Sequence, residues 1–362
     1  MIQHWSVVQM KARAGALLLA GALLALGSGC GLQTRPGRGS SAVLRGTNAV
    51  ETAAVSLPQN PVMRGADPHA VLIDGTYWVY PTEESGEPTK LYAYSSTNLQ
   101  HWTRHGPVLD FAHIPWVWQD GSQEHYAWAP CLARRGDKFY FYYSVGPQRV
   151  SPARIGVAVG DSPAGPFIDF GRALLTGGNG FEAIDPMVFA DPKTGTHFFY
   201  VGGSAGATLR LFELNPDMVS FAREVPVETP PQFTEGAFMH AHAGVYYLSY
   251  SFGRWRESSY SVHYATAETP AGPWQYRGAL LVSNDQHKGP GHHSIVQLPS
   301  GQHLLFYHRW DDRTGDGPYR GGRRVAIEAL EYNPEGLLRP VRMTGGRPRP
   351  DASAIAGSTE GR

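Results

Sequence analysis

Cysteine is almost absent from this chain of 362 residues, which has only Cys30 and Cys131. A disulfide-stapled fold is therefore not available to it, and stability must come from a packed core. Charge is scarce too. Lys, Arg, Asp and Glu make up 17% of the residues, 31 of each sign, for a formal net charge of zero. Nucleic-acid binding calls for a basic patch that this composition does not favour, whereas work on a neutral polymer needs none. Long apolar stretches are missing apart from one, Ala14 to Leu26, which is too short to span a bilayer comfortably. No helical apolar period of useful length occurs elsewhere.

That single apolar run has the setting of an export signal. Lys11 and Arg13 precede it and Gly27-Ser28-Gly29-Cys30 follows, the order of positive region, apolar region and small-residue cleavage zone. Cys30 after small residues reads as a lipoprotein box whose thiol is acylated, with the usual Leu displaced by one to Leu26. The expectation is an exported protein held to a membrane through lipid on Cys30, in the periplasm or at the cell surface, or else simply secreted. Residues 1–30 are then a signal peptide. Residues 31–60, rich in Gly, Ser, Arg and Thr, read as a flexible linker, and 350–362 as a disordered tail. Cys131 is left alone.

What the chain has in plenty is Gly (43), Pro (28) and aromatics (12%), the mix of a turn-rich β protein. One hairpin signature recurs, a Gly followed by an aromatic-rich strand. It begins at Gly75, Gly136, Gly195, Gly244 and Gly301, a period of roughly 50–60 residues. A short apolar stretch precedes each glycine and a third strand-like run follows, as in Leu91-Tyr-Ala-Tyr-Ser and Val262-His-Tyr-Ala-Thr. The turn Ser162-Pro-Ala-Gly-Pro-Phe returns as Thr269-Pro-Ala-Gly-Pro-Trp. Alternating β-branched and aromatic residues between turns mean strands. Five such units predict an all-β, five-bladed β-propeller over residues 61–349, a repetition that leaves only short, protected edges. A β-sandwich is the competing fold, and five in-phase repeats argue against it.

Propellers bind ligands on the axis, at the ends of their innermost strands. Counting back from the five glycines places Asp67, Trp128, Asp185, Glu235 and His292 at matching positions. Taken singly, a carboxylate before an apolar strand is a turn or cap residue, and Asp-Pro pairs are common turn formers. Three carboxylates on one axis are another matter, because crowding anions is costly unless chemistry requires it. Neighbouring carboxylates raise one another's pKa, so one can stay protonated near neutrality while another is ionised. Glycoside hydrolysis uses that pair.

The motifs at these positions, Ala66-Asp-Pro, Ile184-Asp-Pro-Met-Val-Phe and Thr234-Glu-Gly-Ala-Phe, with Gly289-Pro-Gly-His-His-Ser and Tyr307-His-Arg in the last repeat, resemble those of glycoside hydrolase family 43. The resemblance spans about residues 60–345. It implies an inverting hydrolase acting on arabinose- or xylose-containing polysaccharides or oligosaccharides, α-L-arabinofuranosides first, β-xylosides next and galactosides third. By the same resemblance Asp67 is the general base, Glu235 the general acid and Asp185 the modulator of the acid's pKa. It also implies a metal near the axis, commonly calcium, for which His292 is the candidate ligand and His293 the alternative. A hard ion with water ligands suits one histidine better than zinc does. Trp128 is placed to stack on a sugar, or else to pack in the core. Where relatives carry an acidic residue after Trp-Ala-Pro, this chain has Cys131, read as a small buried residue. The insert from Asp110 to His125, with Trp116, Trp118 and Asp120, is placed to wall off one end of the axis, as an exo-acting pocket needs.

Two other readings compete. A non-catalytic carbohydrate-binding propeller would be expected to lose a carboxylate, and none is lost. A retaining, invertase-like propeller would carry Asn before its nucleophile and Arg-Asp-Pro in mid-chain, where this chain has Ala66 and Ile184. The expected partner is a carbohydrate, met by a monomer.

Overall fold

The computed structural model describes residues 55–148 and 151–345. The signal segment, Cys30 with its expected lipid, the linker up to residue 54 and the 350–362 tail lie outside the described residues. Five antiparallel sheets follow one another along the chain. Blade one comprises Ala66–Ile73, Thr76–Thr82, Lys90–Ser96 and Thr103–Asp110. Blade two comprises Tyr126–Arg135, Lys138–Gly146 and Arg154–Gly160, with short outer strands Ile168–Asp169 and Leu175–Thr176. Met187–Ala190, His197–Val201, Arg210–Leu214 and Phe221–Val225 form blade three. Glu235–His242, Val245–Phe252, Ser261–Ala267 and Gln275–Leu281 form blade four. Blade five has His287–Gln297, His303–Asp311 and Arg324–Leu330, and takes Met63–Arg64 as its outermost strand. The first strand of every blade touches the first strands of both neighbours, so they close a ring. The fold is the five-bladed propeller expected.

The period of two explains why these sequences stack as blades. In Lys138–Gly146, Phe139, Phe141, Tyr143 and Val145 enter the core shared with blade one, while Tyr142 enters the core shared with blade three. Successive side chains of a strand point to opposite faces, so a run apolar on both faces needs a partner sheet on each side. The echoed turns answer to the same stacking. Tyr80 donates its hydroxyl to the Pro163 carbonyl in the turn of blade two, and Tyr200 donates to Pro270 in that of blade four, both at 2.6 Å.

Closure falls to the start of the fold. Met63 and Arg64 pair with Val325 and Arg324. Within the stretch expected as linker, Asn60 is already part of the body. It is buried, donates to the Ile327 carbonyl at 2.8 Å and accepts from the Ile327 amide at 2.8 Å. The insert between blades one and two packs inward. Trp116 is buried with its indole N–H on Asp169, and Asp120 holds Arg154, Ser151 and His125. Trp116 is thus a packing residue of blade two, and the hint that it walls an exo pocket is not carried by its position.

Candidate active site

Near the start of each first strand one residue turns left-handed. These are Asp67 (φ 47°), Ala129 (41°), Asp185 (60°), Gly236 (63°) and His292 (38°). In blades one, two, four and five the strand pairing shifts register across that residue. A bulge leaves an amide unpaired with the neighbouring strand, and here a side chain of the preceding blade accepts it. Thr82 Oγ1 takes the N–H of Ala129 (2.7 Å), Ser144 Oγ that of Asp185 (3.0 Å) and Ser251 Oγ that of His292 (2.8 Å). His308 Nδ1 takes that of Asp67 (3.0 Å). Blade three has Gly202 where the others carry an acceptor, and the N–H of Gly236 goes instead to Asp185 Oδ2 (3.0 Å).

This geometry corrects the alignment of the five axial residues. Asp67, Asp185 and His292 share one position, but Trp128 and Glu235 stand one residue earlier, ahead of Ala129 and Gly236. Counting from the hairpin glycines hides the offset, because hairpin lengths vary. The prolines at 68, 130 and 186, each directly after the left-handed residue, carry the signal that would have revealed it.

The kinks gather the carboxylates. Asp67 Oδ1 lies 3.1 Å from Arg323 Nη1, 3.1 Å from His308 Nδ1 and 3.4 Å from His292 Nδ1. The same His292 nitrogen is 3.5 Å from Asp185 Oδ2. Glu235 Oε1 accepts the Tyr260 hydroxyl at 2.7 Å. All three carboxylates are buried. Half-buried Trp128 lies over Gly146, where an added Cβ would meet its ring at 2.0 Å. Only glycine admits that approach.

Electrostatics separate the carboxylates. Burial alone would raise the Asp67 carboxyl, but the charges of Arg323 and then His292 outweigh it and hold it well below the usual carboxylate range. Burial pushes Glu235 up to about 7, opposed by the Tyr260 bond and reinforced by the charges of Asp67 and Glu182. Asp185 also lies well above its usual range, through burial and then the charges of Glu235, Asp67 and Glu182. The site therefore sets a carboxylate held ionised, Asp67, near a carboxyl that keeps its proton up to about pH 7, Glu235. Such a split in ionisation suits acid–base chemistry.

The family model for glycosyl hydrolases family 43 matches residues 58–338. The chain belongs to glycoside hydrolase family 43. It is a glycoside hydrolase, not a binding-only propeller. The β-D-galactofuranosidase xynD of Aspergillus niger is 34% identical over 305 residues, covering 79% of this chain and 85% of that one. A xylosidase/arabinosidase of Bacteroides ovatus is 29% identical, covering 75% and 93%. Among solved structures, a family 43 β-xylosidase/α-arabinofuranosidase from a compost microbial metagenome, in complex with xylotriose and calcium-free, superposes with a TM-score of 0.64. It is 29% identical and covers 78% of this chain and 97% of that one.

In this family 43 hydrolase, several residues around the carboxylates went unnoticed in the sequence. Arg323, held also by Glu84 (2.7 Å), sets the ionisation of Asp67. Tyr260 anchors Glu235, and buried Glu182, fixed by the Ala205 amide (2.8 Å), adds charge beside both acids. Arg323 and Tyr260 sit just ahead of third strands and Glu182 ahead of a first strand, outside the repeat positions that drew attention. Cys131 is buried, and burial pushes its thiol up to about 12, so it is a core residue and no nucleophile.

For a metal, the donor set matters. Among the described residues no group of three or more His, Cys, Asp or Glu could hold an ion. His292 Nδ1 faces Asp67 and Asp185, whereas His293 Nδ1 is buried without a hydrogen-bond partner, its Nε2 being paired with Ser249 Oγ at 2.6 Å. Of the two histidines, His293 therefore has the ring nitrogen without a hydrogen-bond partner, while that of His292 is turned to the carboxylates.

Proposed function

We propose that this enzyme hydrolyses arabinofuranosides of plant-type polysaccharides or oligosaccharides with inversion, Asp67 being the general base and Glu235 the general acid. The observation that carries the reading is the split in ionisation between Asp67, held well below the carboxylate range, and Glu235, raised to about 7. Asp67 draws a proton from water, the resulting hydroxide attacks the anomeric carbon, and Glu235 gives its proton to the departing oxygen. Asp185 orients the acid by binding the amide of Gly236, next to Glu235. Trp128 offers its face to a sugar ring.

β-Xylosides are the next substrate class. A second reading, β-D-galactofuranosides, is favoured by the likeness to the Aspergillus niger enzyme. The two furanosides share ring configuration, and galactofuranose carries one further hydroxymethyl carbon. A screen on p-nitrophenyl α-L-arabinofuranoside, β-D-galactofuranoside and β-D-xyloside, with Glu235→Ala alongside, tests the assignment. Release of arabinose by the wild type supports it, and turnover confined to xyloside or galactofuranoside replaces it.

An axial cation, calcium by class, would be held through His293 with water, and would supply positive charge and stability there. No step of hydrolysis passes through it. If such an ion is bound, a chelator lowers the melting temperature; an unchanged melt contradicts it. We further propose export as a monomer anchored through lipid on Cys30. Cys30→Ser should then move the protein from the membrane fraction to the soluble one, and an unchanged distribution argues against the anchor.

A further inference from the structure

We infer that Trp255, on the loop between Val245–Phe252 and Ser261–Ala267 of blade four, is a second sugar-binding platform at the mouth of the active site. The inference rests on the placement of Asp67 as general base. Trp255 is 41% exposed, while Trp310, stacked against it at 6.1 Å and 18°, is 1% exposed. The Arg323 guanidinium lies 4.6 Å from the centre of the Trp255 ring and reaches Asp67 Oδ1 at 3.1 Å. One residue therefore separates this open indole from the base. The same loop ends at Tyr260, whose hydroxyl bonds the acid Glu235.

The loop is held in place rather than left to move. Trp310 Nε1 donates to the Trp255 carbonyl (2.9 Å), Tyr319 N to the Arg256 carbonyl (2.6 Å) and Ser258 N to the Asp316 carbonyl (3.0 Å). A half-exposed indole on a rigid support keeps part of its ring available to a ligand with an apolar face and a polar rim. The C–H face of a sugar ring is apolar with a hydroxyl rim, and carbohydrate and other ligand sites bury such faces on aromatic side chains. Flanking Arg323 and Arg256, the latter 5.6 Å from the ring, supply donors for the rim. A sugar next to the scissile bond matches this surface in chemistry.

The test compares Trp255→Ala and Trp255→Phe with the wild type on α-1,5-arabinotriose, following initial rates against substrate and pH. The expected result for Trp255→Ala is a KM raised about tenfold with kcat within about twofold, the pattern of lost uniform binding. Trp255→Phe should keep most of the wild-type KM. The acid limb of the pH profile should not move. An unchanged KM in Trp255→Ala overturns the platform, as does a fall in kcat with the acid limb displaced, which would make the ring a prop for Arg323. Titration of arabinotriose into Glu235→Gln, with and without Trp255→Ala, separates the two levels. Wild-type turnover with equal binding by both variants sinks the platform alone. No turnover and no binding by either sinks the arabinoside reading with it.

Discussion

Asp67 and Glu235 are both buried carboxylates, yet their neighbours drive them in opposite directions. Arg323 gives Asp67 a positive partner, while Glu235 has a neutral hydroxyl at its oxygen and two negative charges nearby. The rate should therefore fall on the alkaline side near pH 7 as Glu235 loses its proton, and persist on the acid side to well below the usual carboxylate range. A profile of kcat/KM against pH checks both limbs. Glu182→Gln removes one of the charges that raise Glu235, so the alkaline limb should move to lower pH. Arg323→Gln should move the acid limb up. Glu235→Gln should cost about 10²–10⁴ in kcat on an alkyl or sugar leaving group, and much less on a dinitrophenyl glycoside that departs without a proton. An equal loss on both would remove the acid role.

The same ionisation has a sign in stability. A carboxyl whose folded pKa lies above its unfolded value binds more protons when folded, so stability falls as pH rises between the two values. For Glu235 that window runs from its ordinary 4.5 to about 7. Glu235→Gln should thus melt above the wild type at pH 8, with the gap closing at pH 4, in keeping with functional sites held at some cost in stability. A lower melting temperature for the variant at pH 8 contradicts the buried-anion picture.

At the level of the strand, the site is made by the bulges and by the side chains that receive their amides. Ser251→Ala strips the acceptor from the part-buried His292 N–H and should destabilise the fold by about 1–3 kcal/mol in urea denaturation. A change within about 0.5 kcal/mol would mean that the amide finds another partner. Blade three shows the rule by its exception. At Gly202 an added Cβ would stand 2.0 Å from the Thr208 carbonyl oxygen, so no acceptor side chain fits and Asp185 does that work as well. Much of this was legible in the sequence. Aromatic alternation after each glycine gave the hairpins, and Asp67, Asp185, Glu235 and His292 stood out as axial. The offset of Trp128 and Glu235 was not, because the spacing from the kinked residue to the hairpin glycine varies from blade to blade. Nor were Arg323 and Tyr260, which reach the axis from loops far along the chain from their carboxylate partners. Pairings across 256 and 25 residues leave no local pattern to read.

The described residues form a ring closed from the N-terminal side of the propeller. Met63–Arg64 completes blade five, and Asn60 fastens the approach to that strand. An N-terminal deletion that removes residues up to 65 should broaden or lower the melting transition far more than one that stops at 54, and equal melts would deny the closure its role. The ring also explains how five distant segments share one site. Each blade contributes the start of its innermost strand, and loops after the second strands of blades four and five add Tyr260 and Arg323. Trp255 extends that rim outward over Arg323.

Hydrolysis of p-nitrophenyl α-L-arabinofuranoside followed by proton NMR from the first minutes tests the central claim most directly. If Asp67 activates water on the face opposite Glu235, the first sugar released is β-arabinose, and the α anomer grows only by mutarotation. Initial release of α-arabinose would instead mean a covalent intermediate, and would contradict the roles given to Asp67 and Glu235.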